Sequence, residues 1–269
     1  MPRNSGAAAA KNRGAGLATG DVLFFTDSDI VITPDAFARV AKDLASPEWD
    51  GVVGLLDKDI PATDFATQFK NLWMNFTYGR FAGAGPIGLF YTSVAAMRRA
   101  GFAQAGGFDE NYSGASIAED TEFGQRAWAC GLKVRLDPQL QVVHLKTYTP
   151  GGVLREDFRR ARALMLMRVR KWGRSFFTSV PAFYQLAVPV LYLGLLFLLP
   201  TVLQPLWLAP ALLAFCGFYL LNIPLIRFIW HTRGRLFVLE SALLLPVDAL
   251  VVGLGMLAAM LDLVRGRRY

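Results

Sequence analysis

"DVLFFTDSDI", residues 21–30, carries an uninterrupted apolar run, Val22, Leu23, Phe24 and Phe25, that closes on Thr26, Asp27, Ser28 and Asp29. Such a run has the pattern of a strand buried on both faces. Its end holds two carboxylates one residue apart. In open α/β sheets, ligands sit beyond the carboxyl ends of the strands. Hard divalent cations prefer carboxylate oxygen, and Mg²⁺ is commonly held by one or two carboxylates plus substrate phosphates. If the strand continues, alternation puts Asp27 and Asp29 on one face and Ser28 on the other. One carboxylate then meets a ligand hydroxyl and the other a metal bridging a diphosphate. The same letters occur in turns and caps, so the pair by itself decides little.

The flanking segments alternate between helix and strand, which points to a layered α/β domain. Residues 5–20, "SGAAAAKNRGAGLATG", form an Ala-rich helix opened by Ser5 and closed by glycines. Residues 33–46 follow as a helix with Thr33 as cap, Pro34 in the first turn, and Phe37, Val40 and Leu44 as one apolar stripe. A strand is expected at 49–56. A helix follows at 64–81, where Phe65, Phe69, Leu72, Trp73 and Phe76 recur at helical spacing. That stripe suits core packing, or packing near a lipid or acceptor. Next come a strand at 88–92, a short helix at 93–100, a Gly-rich loop, a helix at 116–131 stopped by Gly131, and short strands at 133–136 and 141–145.

The composition then changes. Between residues 155 and 174 stand eight Lys/Arg against Glu156 and Asp157, interleaved with Leu, Met, Val and Trp. This suits an amphipathic helix on an anionic membrane face. It also accounts for much of the formal net charge of +7. The neighbouring segments disfavour a nucleic-acid partner, because 182–203 and 206–226 hold no charged side chain. Each is long enough to cross a hydrocarbon core of roughly 30 Å. Gln204 and Pro205 separate them as a tight hairpin. Arg174 precedes the first span and Arg227, Arg233 and Arg235 follow the second, so both ends face the cytoplasm. Residues 236–264 are apolar but contain Glu240, Pro246, Asp248 and Asp262, and lead to Arg265, Arg267 and Arg268. A third full span would carry those arginines outside; a re-entrant or interfacial segment broken at Pro246 keeps them inside. Both remain open. The domain reading is 1–153 for the α/β part, 154–180 for the interfacial helix and 181–269 for the membrane region. Residues 1–16 have no apolar signal-peptide core, so the α/β part is expected on the cytoplasmic side. Cys130 and Cys216 lack metal or disulfide spacing and read as buried small apolar residues.

Two further features bear on chemistry. Glu119-Asp120 opens the helix after "NYSGASIA". Carboxylates there are favoured by the helix dipole, but a carboxylate can also take a proton from an attacking hydroxyl. His144 ends the apolar "QVVHL".

In order along the chain, "AAAAKNRGAGLATGDVLFFTDSDIVITPDAF", "MRRAGFAQAGGFDENY", "EDTEFGQRAWACGLKV" and "VVHL" resemble the second part of family 2 glycosyltransferases, from about residue 3 to 160. The resemblance implies a partial GT-A (Rossmann-like) nucleotide-sugar transferase domain followed by transmembrane helices. It also implies inversion by direct displacement and a Mg²⁺ or Mn²⁺ cofactor. Asp27 and Asp29 match the family's Asp-x-Asp, contacting donor nucleotide and metal. Asp120 matches the catalytic base, with Glu119 beside it. Gly107 and Asp109 lie in "GGFDE", which matches the loop shaping the donor-sugar and acceptor site. His144 matches a histidine completing the metal or diphosphate site, and Arg126 falls where the family often has an arginine.

Departures from the pattern shape the remaining expectations. Family members open with a strand of the type Val-Ser-Val-Val-Ile-Pro, then a helix and an acidic strand that hold base and ribose. Here the sequence opens just before the Asp-x-Asp strand. The expectation is an N-terminally truncated domain, from a misassigned or internal start or as a remnant, whose sheet lacks its nucleotide-binding edge and exposes apolar surface. Lys11 stands where "Ala-Arg-Asn" is usual, keeping the charge without the bidentate fork, and by the resemblance it is expected, like Arg126, to contact the donor. Arg168-Val-Arg-Lys171-Trp172 matches poorly the Gln-x-x-Arg-Trp motif of processive synthases, so single-sugar transfer is expected. The acceptor is expected to be a lipid-linked molecule or a glycan at the cytoplasmic face of a bacterial inner membrane, with anionic lipids as partners. The alternative is a catalytically inactive, membrane-bound binding protein derived from such an enzyme. A transporter-like protein would need more spans and more paired intramembrane charges.

Overall fold

The structure, a computed structural model, describes residues 6–112, 118–170 and 176–266. It divides into two compact units. One holds Met1–Thr147 and Leu166–Ser179; the other holds Tyr148–Met165 and Val180–Arg267.

The first unit is an α/β layer built on one five-stranded sheet. Its elements are α1 (Gly6–Leu17), β1 (Val22–Thr26), β2 (Ile30–Ile32), α2 (Ala36–Ala45), β3 (Gly51–Leu56), α3 (Phe65–Gly79), β4 (Val94–Arg98), α4 (Arg99–Gln104), α5 (Glu119–Ala129) and β5 (Val134–His144). The strand order is β1-β4-β3-β5-β2. β3 and β5 run parallel, and the other pairs are antiparallel. β3 is buried along its whole length, as its continuous apolar run requires. β1 pairs only with β4 among the described residues, and Val22 on it is 37% exposed.

Several sequence expectations are corrected here. Residues 88–92 are not a strand, and 93–100 are not one helix. β4 occupies 94–98 and α4 begins at Arg99. Val94, Ala95, Ala96 and Met97 are all fully buried between β1 and β3, so burial overrides the helix propensity of Ala and Met. The two short strands at 133–136 and 141–145 are one strand, β5, whose pairing with β3 shifts register between Val53 and Leu55. Thr33 does not cap α2; its hydroxyl donates to Gln141 O at 3.2 Å. Val40 and Leu44 are buried on α2, whereas Phe37 is exposed and rests on Phe24 with ring centroids 5.2 Å apart. Ser5 lies outside the described residues. Asp64 does cap α3, accepting from Thr67 N at 2.9 Å.

The second unit is helical. It contains α7 (Ala182–Leu198), α8 (Leu208–Leu221), α9 (Ile223–Arg233) and α10 (Arg235–Val264), with most of α6 (Pro150–Arg170), whose last turns belong to the first unit. Short 3-10 turns at Leu199–Val202 and Pro205–Trp207 make the hairpin between α7 and α8. Ala182–Val202 and the 30-residue α10 are each long and apolar enough to cross a membrane. α8 and α9 together qualify as a third span, bent by 53° at Asn222. The expected break at Pro246 does not occur, because α10 continues through it. α6 lies against α10, where a side chain on Gly255 would meet Phe158 O at 2.5 Å, and Arg162 bonds Asp262 at 2.5 Å. A glycine at that crossing lets the two backbones approach. Arg155 and Arg159 stay exposed on α6. Cys130 and Cys216 are both exposed, contrary to the expectation of burial.

Candidate active site

An aromatic cluster fixes the floor of the candidate site. Phe25, just before the Asp27–Asp29 segment, packs on Phe90, Phe102 and Phe108 with centroids 5.7, 5.3 and 5.4 Å away. Phe108 packs in turn on Phe123 of α5 at 4.7 Å. Each such ring pair adds about 1 kcal/mol beyond area burial. The end of β1, the Gly-rich loop and α5 are thereby joined in one core.

The chain does not continue as a strand after Thr26. Asp27, Ser28 and Asp29 form a turn closed by Ile30 N donating to Asp27 O at 3.3 Å. The expected alternation is lost, and the two carboxylates take different partners. Asp27 Oδ2 accepts from Ser93 Oγ at 2.6 Å. Asp29 Oδ1 lies 3.6 Å from His144 Nε2, because β2 pairs Ile30 with His144. Neighbouring ligands of an octahedral ion, each roughly 2.1 Å from it, stand about 3.0 Å apart, so the two groups would have to close slightly to share one. No group of three or more His, Cys, Asp or Glu side chains could hold a metal among the described residues. Asp29 and His144 are two neighbouring groups of metal-ligating type; a divalent cation placed between them would need its other ligands from phosphate or water.

Lys11 on α1 reaches the opposite side of the site. Its Nζ donates to Thr92 Oγ1 at 2.5 Å and to Glu119 Oε1 at 2.8 Å. Glu119 is 3% exposed, so Lys11 and Glu119 are a buried ion pair rather than two solvent-facing groups. Thr92 and Ser93, both buried, link this pair to Asp27 through one dipeptide. Asp120, next to Glu119, is half-buried, and its Oδ1 accepts from Thr121 N at 2.6 Å.

The loop 105–110 is wound through Gly106 and Gly107, both at positive φ, +79° and +68°. A side chain at either position would be strained. Arg126 Nη1 donates to Gly107 O at 2.7 Å and also to Ala105 O, while Nη2 bonds Glu122 at 2.6 Å. Burial opposes the charge on Arg126, but Glu122 outweighs it and holds the guanidinium above its usual value. Asp109 Oδ1 accepts from Asn111 N at 3.0 Å and from Asn111 Nδ2 at 2.7 Å. Tyr112, just beyond, carries Arg170 of α6 against its ring, 5.4 Å from the centroid, and bonded to its hydroxyl. Burial pushes the Tyr112 phenol up to about 12, the Arg170 charge opposing. Gln125 of α5 bonds Phe177 in both directions, Nε2 to O at 2.6 Å and Phe177 N to Oε1 at 2.9 Å.

Every site residue expected from the sequence therefore lies in the first unit, around the Asp27–Asp29 turn, the 105–110 loop and the start of α5. Thr92, Ser93, Asn12, Gln125 and Arg170 escaped sequence reasoning. Asn12, Gln125 and Arg170 stand in quoted stretches that assign them no role, Thr92 and Ser93 in none, and only the fold brings them to the site. Lys171 and Trp172 lie outside the described residues.

Residues 1–106 match the family model described as glycosyl transferase family 2. Among solved structures, the mannosyltransferase PcManGT from Pyrobaculum calidifontis, in complex with GDP-Man and Mn²⁺, is similar with a TM-score of 0.52 and 18% identity. The similarity covers 94% of this chain and 66% of that one, so this chain spans a little under two thirds of that protein's length. No curated protein sequence matches.

Proposed function

We propose that the chain transfers a sugar from a nucleotide-sugar donor to a membrane-associated acceptor, a reading supported by the match of residues 1–106 to the glycosyl transferase family 2 model and by a sheet similar to that of a GT-A mannosyltransferase. The observation that supports this reading is the chain of contacts from Asp29 beside His144, and Asp27 on Ser93, through Thr92 and Lys11 to Glu119 at the start of α5, where Asp120 is the next residue. Asp29 and His144 would hold a Mg²⁺ or Mn²⁺ ion, with phosphate and water completing its coordination. When bound, that cation supplies positive charge against the departing diphosphate. Asp27 meets the donor nucleotide, and Gly107 and Asp109 border its sugar. Asp120 takes the proton of the acceptor hydroxyl as that oxygen attacks the anomeric carbon opposite the leaving nucleoside diphosphate, so the configuration inverts. Glu119 and Lys11 act one step back, fixing the start of α5 through their ion pair. Arg126 acts through the loop carbonyls it holds.

The apolar helices of the second unit support a lipid-linked or glycan acceptor at a membrane surface, and exposed Arg155 and Arg159 suit anionic headgroups. The cytoplasmic face of a bacterial inner membrane is the compartment that supplies nucleotide sugars. The test is sugar transfer by membranes carrying the wild type, Asp29→Asn or Asp120→Asn, with GDP-mannose as the first of a panel of donors. Turnover in the wild type is expected to fall at least 100-fold in Asp120→Asn. A folded wild type inert to every donor, indistinguishable from Asp120→Asn, would favour the non-catalytic binding protein instead.

A further inference from the structure

The amide of Asn12 has every hydrogen-bonding group occupied by one loop. Nδ2 donates to Phe108 O at 2.9 Å and to Glu110 Oε1 at 2.9 Å, and Oδ1 accepts from Phe108 N at 2.8 Å. The two bonds to Phe108 reproduce what a neighbouring strand would give that residue, from a single side chain. A carboxamide is the group that can do this, since it offers two N–H donors and an acceptor on one planar end. The loop fits closely around it. A Cβ on Gly107 would lie 2.9 Å from Asn12 Oδ1, at a backbone φ of +68°. From the other side, Arg126 holds the Gly107 carbonyl. The neighbouring residue of α1, Lys11, bonds Glu119 beside Asp120. Adjacent residues of one helix thus grip the two halves of the site.

We infer that Asn12 is a positioning residue that sets the donor-sugar side of the site by holding the 105–110 loop, at a spacing from Asp120 fixed by α1. This rests on the glycosyl transfer proposed above. A loop released from Asn12 leaves Asp109 and Gly107 free to drift from the sugar, while the Asp27–Asp29 turn and His144, which Asn12 does not touch, stay in place. Loss of Asn12 therefore weakens recognition of the sugar and spares the diphosphate.

The test uses the full chain purified in detergent, with Asn12→Asp, Asn12→Ala and Glu110→Ala. Asn12→Asp keeps the side-chain volume and the acceptor for Phe108 N but loses both donors. Glu110→Ala removes one bond from an exposed residue and leaves the core untouched. Amide hydrogen exchange is read over residues 105–112, together with binding of GDP and of GDP-mannose. Where turnover is measurable, KM and kcat are separated. Asn12→Asp is expected to speed loop exchange on the order of tenfold or more, given bonds of ordinary strength. It should weaken GDP-mannose about tenfold, through KM rather than kcat, with GDP affinity unchanged and Glu110→Ala showing a smaller effect of the same kind. Unchanged loop exchange in both Asn12 variants overturns the inference, as does equal weakening of GDP and GDP-mannose. If the wild type binds no nucleotide of the donor panel and turns over none of its sugars, the glycosyl-transfer reading fails, while the exchange result still decides whether Asn12 holds the loop; where another donor of the panel binds, its nucleoside diphosphate and nucleotide sugar replace GDP and GDP-mannose in the comparison.

Discussion

Lys11 and Glu119 show how a residue's role changes when its surroundings are known. The sequence pattern assigns Lys11 to the donor and Glu119 to catalysis, yet their side chains, 15% and 4% exposed, bond each other at 2.8 Å. Replacing Lys11 by Met leaves a carboxylate buried without its cation, which costs about 3–5 kcal/mol. Lys11→Met should lower the melting temperature strongly, and adding Glu119→Leu should recover most of it. A single-variant loss below about 1 kcal/mol would contradict the burial of the pair. Asp43 offers a second residue-scale test. Burial first, then the Asp137 carboxylate, push it above its ordinary value of 3.8, with Arg135 opposing. The folded state then keeps the Asp43 proton to higher pH than the unfolded chain does. Stability is therefore lost as pH rises from 3.8 through the folded value, and above it the group is a net liability. Asp43→Asn should raise the melting temperature at pH 7 and leave it nearly unchanged at about pH 3.5; an equal shift at both would show that charge is not the cause.

At the scale of elements, β3 sits between an antiparallel and a parallel neighbour and tolerates almost no change. A Cβ on Gly54 would lie 2.1 Å from Leu140 O and 2.9 Å from Val94 Cγ2. Gly54→Ala must push β5 or β4 aside, so it should destabilise the sheet by about 3 kcal/mol, read as lower folded yield and melting temperature. Gly14→Ala, inside α1 with nothing within 4 Å of its Cβ, serves as the control and should not destabilise, gaining up to about 1 kcal/mol from helix propensity. The same sheet marks the limit of what periodicity reveals. β1, β3, α3 and α5 were legible, because an unbroken apolar run or a 3.6-residue stripe survives in the letters. β4 was not, because Val94-Ala-Ala-Met97 is apolar and short, and only its neighbours on both sides decide that it is extended. In the candidate site, Asp27, Asp29, Asp120 and His144 were singled out by resemblance, and among them the structure brings Asp29 to 3.6 Å from His144. The turn that separates the two aspartates was not, since two residues of extended chain and two of turn read alike. Asn12, Thr92 and Ser93 were hidden because their partners lie far away in sequence, 66 residues for Ser93 and 96 for Asn12.

At the scale of the whole chain, the second unit sets the orientation through its charges. From Ala182 to Ile226 there is no ionisable Lys, Arg, Asp or Glu, while Arg227, Arg233 and Arg235 follow closely. The positive-inside rule then keeps the start of α7 and the end of α9 on one side and the Gln204–Pro205 hairpin on the other. If the proposed donor chemistry runs on the cytoplasmic side, the hairpin is expected to face outward. This count takes α8 and α9, bent by 53° at Asn222, as one crossing between them, which the pair is long and apolar enough to make. Cys130, exposed in the first unit, and a cysteine introduced at the hairpin test the arrangement from both faces. In a Cys216→Ser background, a membrane-impermeant maleimide applied to sealed spheroplasts should label Gln204→Cys at once. It should reach Cys130 only after the membrane is opened. Cys130 labelling in sealed cells would place the Asp27–Asp29 turn on the face without nucleotide sugars, and no donor-dependent chemistry of the kind proposed could then run there. Labelling of neither site before lysis would mean that α7 and α8 dip into the membrane without crossing it, and α10 would be left as the sole complete span.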